Sequence, residues 1–290
     1  MTDYRIDPLT GAAVVVAERR QERPTLPDTG CPFCPGGLEA PEPYQVRWFV
    51  NRWPSMPDDR CEIVLYTPSH EASFASLGVE GAARVVELWA DRTSALGARP
   101  DVDYVLVFEN RGPEVGATIA HPHGQIYALD RVPSAPATEL AAGACAFCQP
   151  RDDGEDDLVV VERDGWRAEV PWAAAWPFEL RVSPAAHLPD LPSARAEAGV
   201  HVLAAVLVDA LARLDQLFGS PAPYMLWFHQ RPTDGRPWPN AHLHAHVAPL
   251  WRAPRVVRYV AAGELGSGTF FNPVAPEQAA ARLRDMPGAT

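Results

Sequence analysis

Residues 121–125 read His121-Pro122-His123-Gly124-Gln125, and residues 242–246 read His242-Leu243-His244-Ala245-His246. Alternate residues of an extended chain share a face, so each stretch sets three polar side chains in a row along one side of a strand. Working outward from the two clusters, the same landmarks recur in the same order, which marks an internal duplication. Cys31-Pro32-Phe33-Cys34 matches Cys145-Ala146-Phe147-Cys148, and Thr67-Pro68-Ser69-His70 matches Ser183-Pro184-Ala185-Ala186-His187. A helical segment follows in each, over 80–95 and 195–218, with apolar residues three to four apart. Next come the strands Tyr104-Val105-Leu106-Val107-Phe108-Glu109-Asn110-Arg111 and Tyr224-Met225-Leu226-Trp227-Phe228-His229-Gln230-Arg231. The spacings agree too: 39 residues (31 to 70) against 42 (145 to 187), then 51 (70 to 121) against 55 (187 to 242). A lone histidine on such a strand is usually a satisfied core group. Recurrence in register argues against that here and predicts two units, 1–130 and 131–290, with 130–144 as connector and the acidic stretch 149–157 as a surface loop.

Length and charge bound the chemistry. A chain of 290 residues buries a sizeable core. Its net charge of −12 sets up no field for polyanions, so no nucleic-acid partner is expected and phosphate must be held by a few placed groups. The chain contains no lysine, and all 25 basic residues are arginine. P-loop, Schiff-base and serine–lysine chemistry are thereby excluded, whereas the arginine fork suits phosphate. No apolar run reaches the roughly 18 residues a membrane span needs, and the N-terminus carries no leader pattern, which points to a cytoplasmic protein with no membrane partner. Five cysteines, four of them in Cys-x-x-Cys pairs, fit a reducing compartment; Cys61 reads as buried strand filler.

Two thiolates and two imidazoles make a closed tetrahedral shell that suits Zn2+ and leaves no position for a substrate water. The first unit offers Cys31, Cys34, His70 and His121. By the repeat, the second offers Cys145, Cys148, His187 and His242, giving two structural zinc ions per chain. A redox reading of either pair needs it at a helix N-terminus, and Pro35-Gly36-Gly37 and Gln149-Pro150 stand in the way.

The His121–Gln125 strand, preceded by Glu109-Asn110-Arg111-Gly112 and Gly116-Ala117-Thr118, resembles the histidine-triad superfamily in its galactose-1-phosphate uridylyltransferase branch. The resemblance extends through Arg20-x-x-Arg23-Pro24, Asn51 before Trp53, the cysteine pairs, Trp172 to Phe178, the second histidine cluster and Pro276-Glu277-Gln278-Ala279-Ala280. It implies an α+β fold of two fused histidine-triad halves forming a largely antiparallel sheet with flanking helices. It implies His123 as nucleophile, and chemistry supplies a reason: a neutral imidazole nitrogen attacks an α-phosphorus in line and displaces a sugar 1-phosphate. Gln125 stands where hydrolytic branches carry a third histidine, and an amide holds a phosphoryl oxygen without offering an acidic proton. Phe33, Asn51 and Trp53 would line the base and ribose pocket, and Asn110, Gly116 and Thr118 would meet the phosphates. On residue type alone, Asn51 and Asn110 are equally well turn residues and Trp53 a core residue. Arg20 and Arg23 would reach the sugar phosphate of a neighbouring subunit in a homodimer with a shared site.

The resemblance also offers a second ligand set, Glu139, His229, His244 and His246, as the alternative holder of the second metal, zinc or iron. Members of the family place a lysine in a C-terminal substrate loop; here Arg258-Tyr259 and Gly263 to Gly268 occupy that region. The expected activity is transfer of a nucleotidyl group between a nucleotide sugar and a sugar 1-phosphate, in galactose metabolism, from UDP-glucose to a hexose 1-phosphate. Two other readings use the same scaffold. One is a phosphorylase of ADP-sugars or other nucleoside-diphosphate sugars; the other is a zinc-stabilised nucleotide-binding protein in which His123 and Gln125 are idle.

Overall fold

Both histidine clusters lie in one nine-stranded sheet. The computed structural model of the chain describes residues 2–18, 21, 30–150 and 154–289. A hairpin of β1 (Tyr4–Ile6) and β2 (Ala13–Val15) precedes the sheet. The first repeat contributes β3 (Arg47–Val50), β4 (Cys61–Leu65), β5 (Tyr104–Arg111) and β6 (His123–Leu129). The second contributes β7 (Val159–Arg163), β8 (Trp166–Glu169), β9 (Leu180–Pro184), β10 (Tyr224–His229) and β11 (His244–Pro249). The order is β3-β4-β6-β5-β10-β11-β9-β8-β7, and every neighbouring pair is antiparallel. Outward from the β5–β10 seam, the two repeats therefore lay down corresponding strands in the same succession. A short hairpin of β12 (Trp251–Ala253) and β13 (Val256–Val257) follows.

The seam corrects the repeat alignment by one residue. Phe108 faces Trp227 across it, while Phe108 also faces Gln125 and Trp227 also faces His246. Phe108 thus corresponds to Trp227 and Asn110 to His229, whereas matching Tyr104 to Tyr224 by identity sets every side chain on the wrong face.

The two long helices cover one face. α1 (Gly78–Gly97) and α4 (Val200–Phe218) pack against each other and against the sheet. α1 turns Ala82, Val85, Val86 and Trp89 inward, and Trp89 stacks on Phe74 with centroids 5.5 Å apart. Losing a buried indole of this kind costs about 3–5 kcal/mol. The helix predicted over 195–218 is two helices, α3 (Leu191–Ala196) and α4, with α2 (Ser134–Leu140) lying in the connector before them. The break sits at Ala198, whose φ of 58° no helix accepts, and Gly199 closes α3 by donating to the Ala194 carbonyl at 2.8 Å. Asp190 caps the start of α3 through the Ser193 N–H at 2.8 Å. α5 (Ala262–Ser267) and α6 (Pro276–Arg284) complete the chain. Arg213 of α4 holds the end of α6 by donating to the carbonyls of Leu283, Arg284 and Met286 at 3.1, 2.9 and 2.9 Å. Among the described residues, no helix is long and apolar enough to cross a membrane.

The other face stays open and carries the histidines. A separate small apolar cluster of Phe33, Ala40, Ile63 and Leu65, flanked by Tyr44, Phe49 and Ile119, lies there beside β6. Cys61 is fully buried in β4, as its place in an apolar run predicts.

Candidate active site and metal centres

On β6 the alternation sends His123 and Gln125 to the open face and buries Gly124 and Ile126 against the helices. The Nδ1–H of His123 donates to the His121 carbonyl at 2.8 Å. A carbonyl only accepts, so this bond fixes the tautomer and leaves the lone pair on Nε2. Phe33 stands edge-on to the His123 ring, 5.1 Å between centroids, and is itself 5% exposed. Phe108 faces Gln125 on the neighbouring strand, and Asn110 follows two residues on, on the same face. The chain then turns through Gly112 and Gly116, with φ of 97° and 78°, conformations that favour glycine, before reaching the exposed Thr118. Asn51 and Trp53 lie between β3 and β4, both partly buried; Asn51 accepts the Trp53 N–H at 2.9 Å, so its turn role is real. Arg20 and Arg23 lie outside the described residues.

Three groups of metal-ligating side chains converge, and within each the ligand atoms all lie within 4.8 Å of one another. The first is Cys31, Cys34, His70 and His121, with Cys34 Sγ 3.6 Å from Nδ1 of both histidines. Zinc bound to sulfur at about 2.3 Å and nitrogen at about 2.0 Å sets tetrahedral neighbours about 3.6 Å apart, so the spacing fits. Nε2–H of His121 donates to the Thr67 carbonyl at 2.7 Å, and the Tyr44 hydroxyl lies 2.9 Å from the same nitrogen. Such partners turn a ligand ring toward its metal. Burial and the neighbouring Cys31 push the Cys34 thiol up, a cost that a bound cation removes. The second group is Cys145, Cys148, His187 and His242, with sulfur to Nδ1 distances of 3.4, 3.3 and 3.8 Å. His242 Nε2–H donates to the Pro184 carbonyl at 2.9 Å, repeating the arrangement at His121.

The third group is Glu139, His229, His244 and His246. Read from sequence, it competes with the second cysteine set for one metal. In the structure the two sets share no residue and form separate clusters: His242, just before β11, meets the two cysteines, whereas His244 and His246 on β11 meet Glu139 and His229. Both Glu139 oxygens lie 2.9 Å from His229 Nδ1, and Glu139 Oε2 is 3.5 Å from His244 Nε2. Burial, then the neighbouring His246 and His229, pulls His244 well below the usual imidazole range, and burial lowers His246 as well. Neutral imidazoles are the ligand form. Glu139 comes from α2, so the segment read as a connector carries a helix and one member of this group.

By strand register, His244, His246 and His229 occupy in the second repeat the places of His123, Gln125 and Asn110 in the first. His244 even repeats the His123 bond, Nδ1–H to the His242 carbonyl at 2.8 Å. The second constellation adds Glu139 and makes a group that could hold a metal ion, whereas its twin around His123 has no carboxylate at that place. Sequence reasoning missed Tyr44, which has no partner in the repeat pattern. It also left Glu109 without a role, though an acid at an inward position of an apolar strand is a visible signal.

An oriented imidazole on an open sheet face, beside Phe33 and a glycine-bounded loop, is an arrangement suited to transfer of a nucleotidyl group. The descriptions "Galactose-1-phosphate uridyl transferase, N-terminal domain" and "C-terminal domain" match residues 53–133 and 139–289. The chain belongs to the galactose-1-phosphate uridylyltransferase family, and it is an enzyme of the nucleotidyltransferase class. A galactose-1-phosphate uridylyltransferase of Thermotoga maritima is 34% identical across 98% of each chain. That of Streptomyces lividans is 36% identical over 98% of this chain and 87% of its own. A solved uridylyltransferase structure superposes with a TM-score of 0.86 at 29% identity, covering 98% of this chain and 97% of that one. The ADP-glucose phosphorylase of Arabidopsis thaliana shares the fold, with a TM-score of 0.78 at 22% identity and 99% coverage of both chains.

Proposed function

We propose that the protein is a UDP-glucose:hexose-1-phosphate uridylyltransferase acting by a ping-pong route through His123. The observation that carries this reading is the Nδ1–H bond from His123 to the His121 carbonyl, which leaves Nε2 as the attacking atom on the open face. Nε2 attacks the α-phosphorus of UDP-glucose in line; the bond to the bridging oxygen breaks and glucose 1-phosphate leaves with that electron pair. Positive charge on the uridylylated ring is met by the carbonyl dipole at Nδ1, which keeps its proton throughout. A phosphate oxygen of galactose 1-phosphate then attacks the same phosphorus, and Nε2 recovers its lone pair as UDP-galactose leaves. Gln125 and Asn110 hold non-bridging oxygens, with Gly116 and Thr118 on the loop beyond. Phe33, Asn51 and Trp53 take base and ribose. Arg20 and Arg23 reach the sugar phosphate in the partner of a homodimer, and five free cysteines suit a cytoplasmic setting.

The three side-chain groups are read as three cation sites. Both Cys2His2 groups hold structural zinc, which supplies folding free energy and offers no open position. Glu139, His229, His244 and His246 hold a third cation, zinc or iron, pinning α2 to the sheet. The assay that tests the function supplies UDP-glucose with galactose 1-phosphate and, separately, ADP-glucose with inorganic phosphate. UDP-galactose and glucose 1-phosphate are expected in the first and no ADP in the second. Phosphorolysis of ADP-glucose without uridylyl exchange would replace this reading by the phosphorylase.

A further inference from the structure

On the helix side of the sheet, directly beneath the catalytic strand, lies a buried polar cluster that the reaction as described does not use. Glu109, Tyr66 and Tyr224 are 4%, 2% and 1% exposed. The Tyr224 hydroxyl donates to Glu109 Oε1 at 3.1 Å, and the Tyr66 hydroxyl approaches the same carboxyl. Tyr66 is fixed by edge-on contacts with Phe74 and Trp89, and its N–H donates to the Pro122 carbonyl at 3.2 Å. Its hydroxyl fills the space under Gly124, where a Cβ would lie 2.2 Å from that oxygen. This contact is why the residue between His123 and Gln125 is glycine.

The second repeat serves as an internal control. Phe228 holds the place of Glu109, and Ala245 that of Gly124. Val64 faces Gly124 as Val182 faces Ala245, so the correspondence extends to β4 and β9. The metal-holding repeat therefore builds the same layer from apolar side chains, with Phe228 and Ala245 fully buried. The polar cluster is not what the unit needs to fold, and a buried acid is costly where phenylalanine would serve.

We propose that Glu109 and Tyr66 are positioning residues for uridylyl transfer, holding the His123–Gly124–Gln125 backbone from the helix side so that Nε2 meets the α-phosphorus in line. The proposal rests on His123 being the nucleophile. Burial pushes the Glu109 carboxyl up to about 7, against the pull of Arg111 and the Tyr224 and Tyr66 hydroxyls, with Asp215 adding to the rise. An acid whose folded pKa is raised contributes full stability below its unfolded pKa and loses it as pH climbs through the folded value. Glu109 thus weakens the fold above about pH 7, and a neutral amide in its place does not.

The test uses Glu109→Gln and Tyr66→Phe in the full chain with its metals. It measures the single-turnover rate of protein labelling by UDP-glucose, KM, metal content and melting temperature near pH 8. Labelling is expected to slow about tenfold or more in each variant with KM within about threefold and metal content unchanged. Glu109→Gln is further expected to melt at or above wild type. A folded variant labelling within about threefold of wild type overturns the proposal, as does a rate loss that tracks lost metal and lower melting temperature. If Glu109→Gln does not fold, Tyr66→Phe decides: folded and with its metals, it is expected to label about tenfold or more slowly, and labelling within about threefold of wild type overturns the proposal. Absence of labelling in wild type would instead defeat the nucleophile assignment.

Discussion

His123 and Gln125 differ from His244 and His246 in what surrounds them more than in how the strand presents them. Both histidine pairs ride on an alternating strand, and His123 and His244 each donate Nδ1–H to a carbonyl two residues back at 2.8 Å. What separates them is Glu139, which gives the second constellation a carboxylate and so a donor set that could hold a cation. Gln125 marks the other distinction, since an amide meets a phosphoryl oxygen without an acidic proton. Gln125→His places there the residue type that the second repeat has at His246. A histidinium could protonate a leaving oxygen and admit water at neutral pH. The hydrolysed fraction of UDP-glucose should therefore rise and exchange should fall, measured by product partition with and without galactose 1-phosphate. An unchanged partition would assign protection of the intermediate to exclusion of water by the pocket.

At the scale of elements, the cation sites tie loops to strands that the sheet alone leaves loose. Cys31 and Cys34 sit in a turn of little regular structure, His70 follows β4, and His121 precedes β6. A zinc ion held by these four side chains would fasten all three segments beside Phe33 and His123. Cys31→Ala should lower soluble yield and melting temperature, and elemental analysis should fall by about one zinc per chain. Wild type should hold about three cations per chain; Cys145→Ser should remove one and leave the Glu139 site filled. Two cations in wild type, with Cys145→Ser leaving both, would mean that the second cysteine set is empty. These elements were largely legible in the sequence, because ligand types and spacings recur and the histidine alternation announces strands. The break between α3 and α4 was not, since it depends on Ala198 taking a left-handed conformation that its residue type disfavours. Nor was the helix α2, since the two prolines and the small residues of 130–144 read as linker and its place is fixed by what Glu139 faces.

The whole molecule is a duplication folded into a single sheet, and that arrangement explains why one chain holds the His123 constellation and a twin that could hold a metal. The repeat itself could be read from sequence, but its true register could not. Matching Tyr104 to Tyr224 maximises identity, whereas the Phe108–Trp227 pairing at the seam is set by hydrogen bonds between strands distant in sequence. Only that register shows that Asn110 corresponds to His229, and that Glu109 stands where the other repeat has Phe228. The two long helices lie on one side of the sheet, and the other side carries both histidine constellations, with α2 bringing Glu139 to the second. The account depends on a covalent intermediate at one nitrogen, and its most direct test is to incubate the protein with UDP-glucose labelled at the α-phosphorus, without acceptor, then map the label. The expected result is an acid-labile uridylyl group on His123, about one per chain, discharged by galactose 1-phosphate and absent from His123→Gly with its metals intact. Label on another residue, or undiminished labelling of His123→Gly, would contradict it.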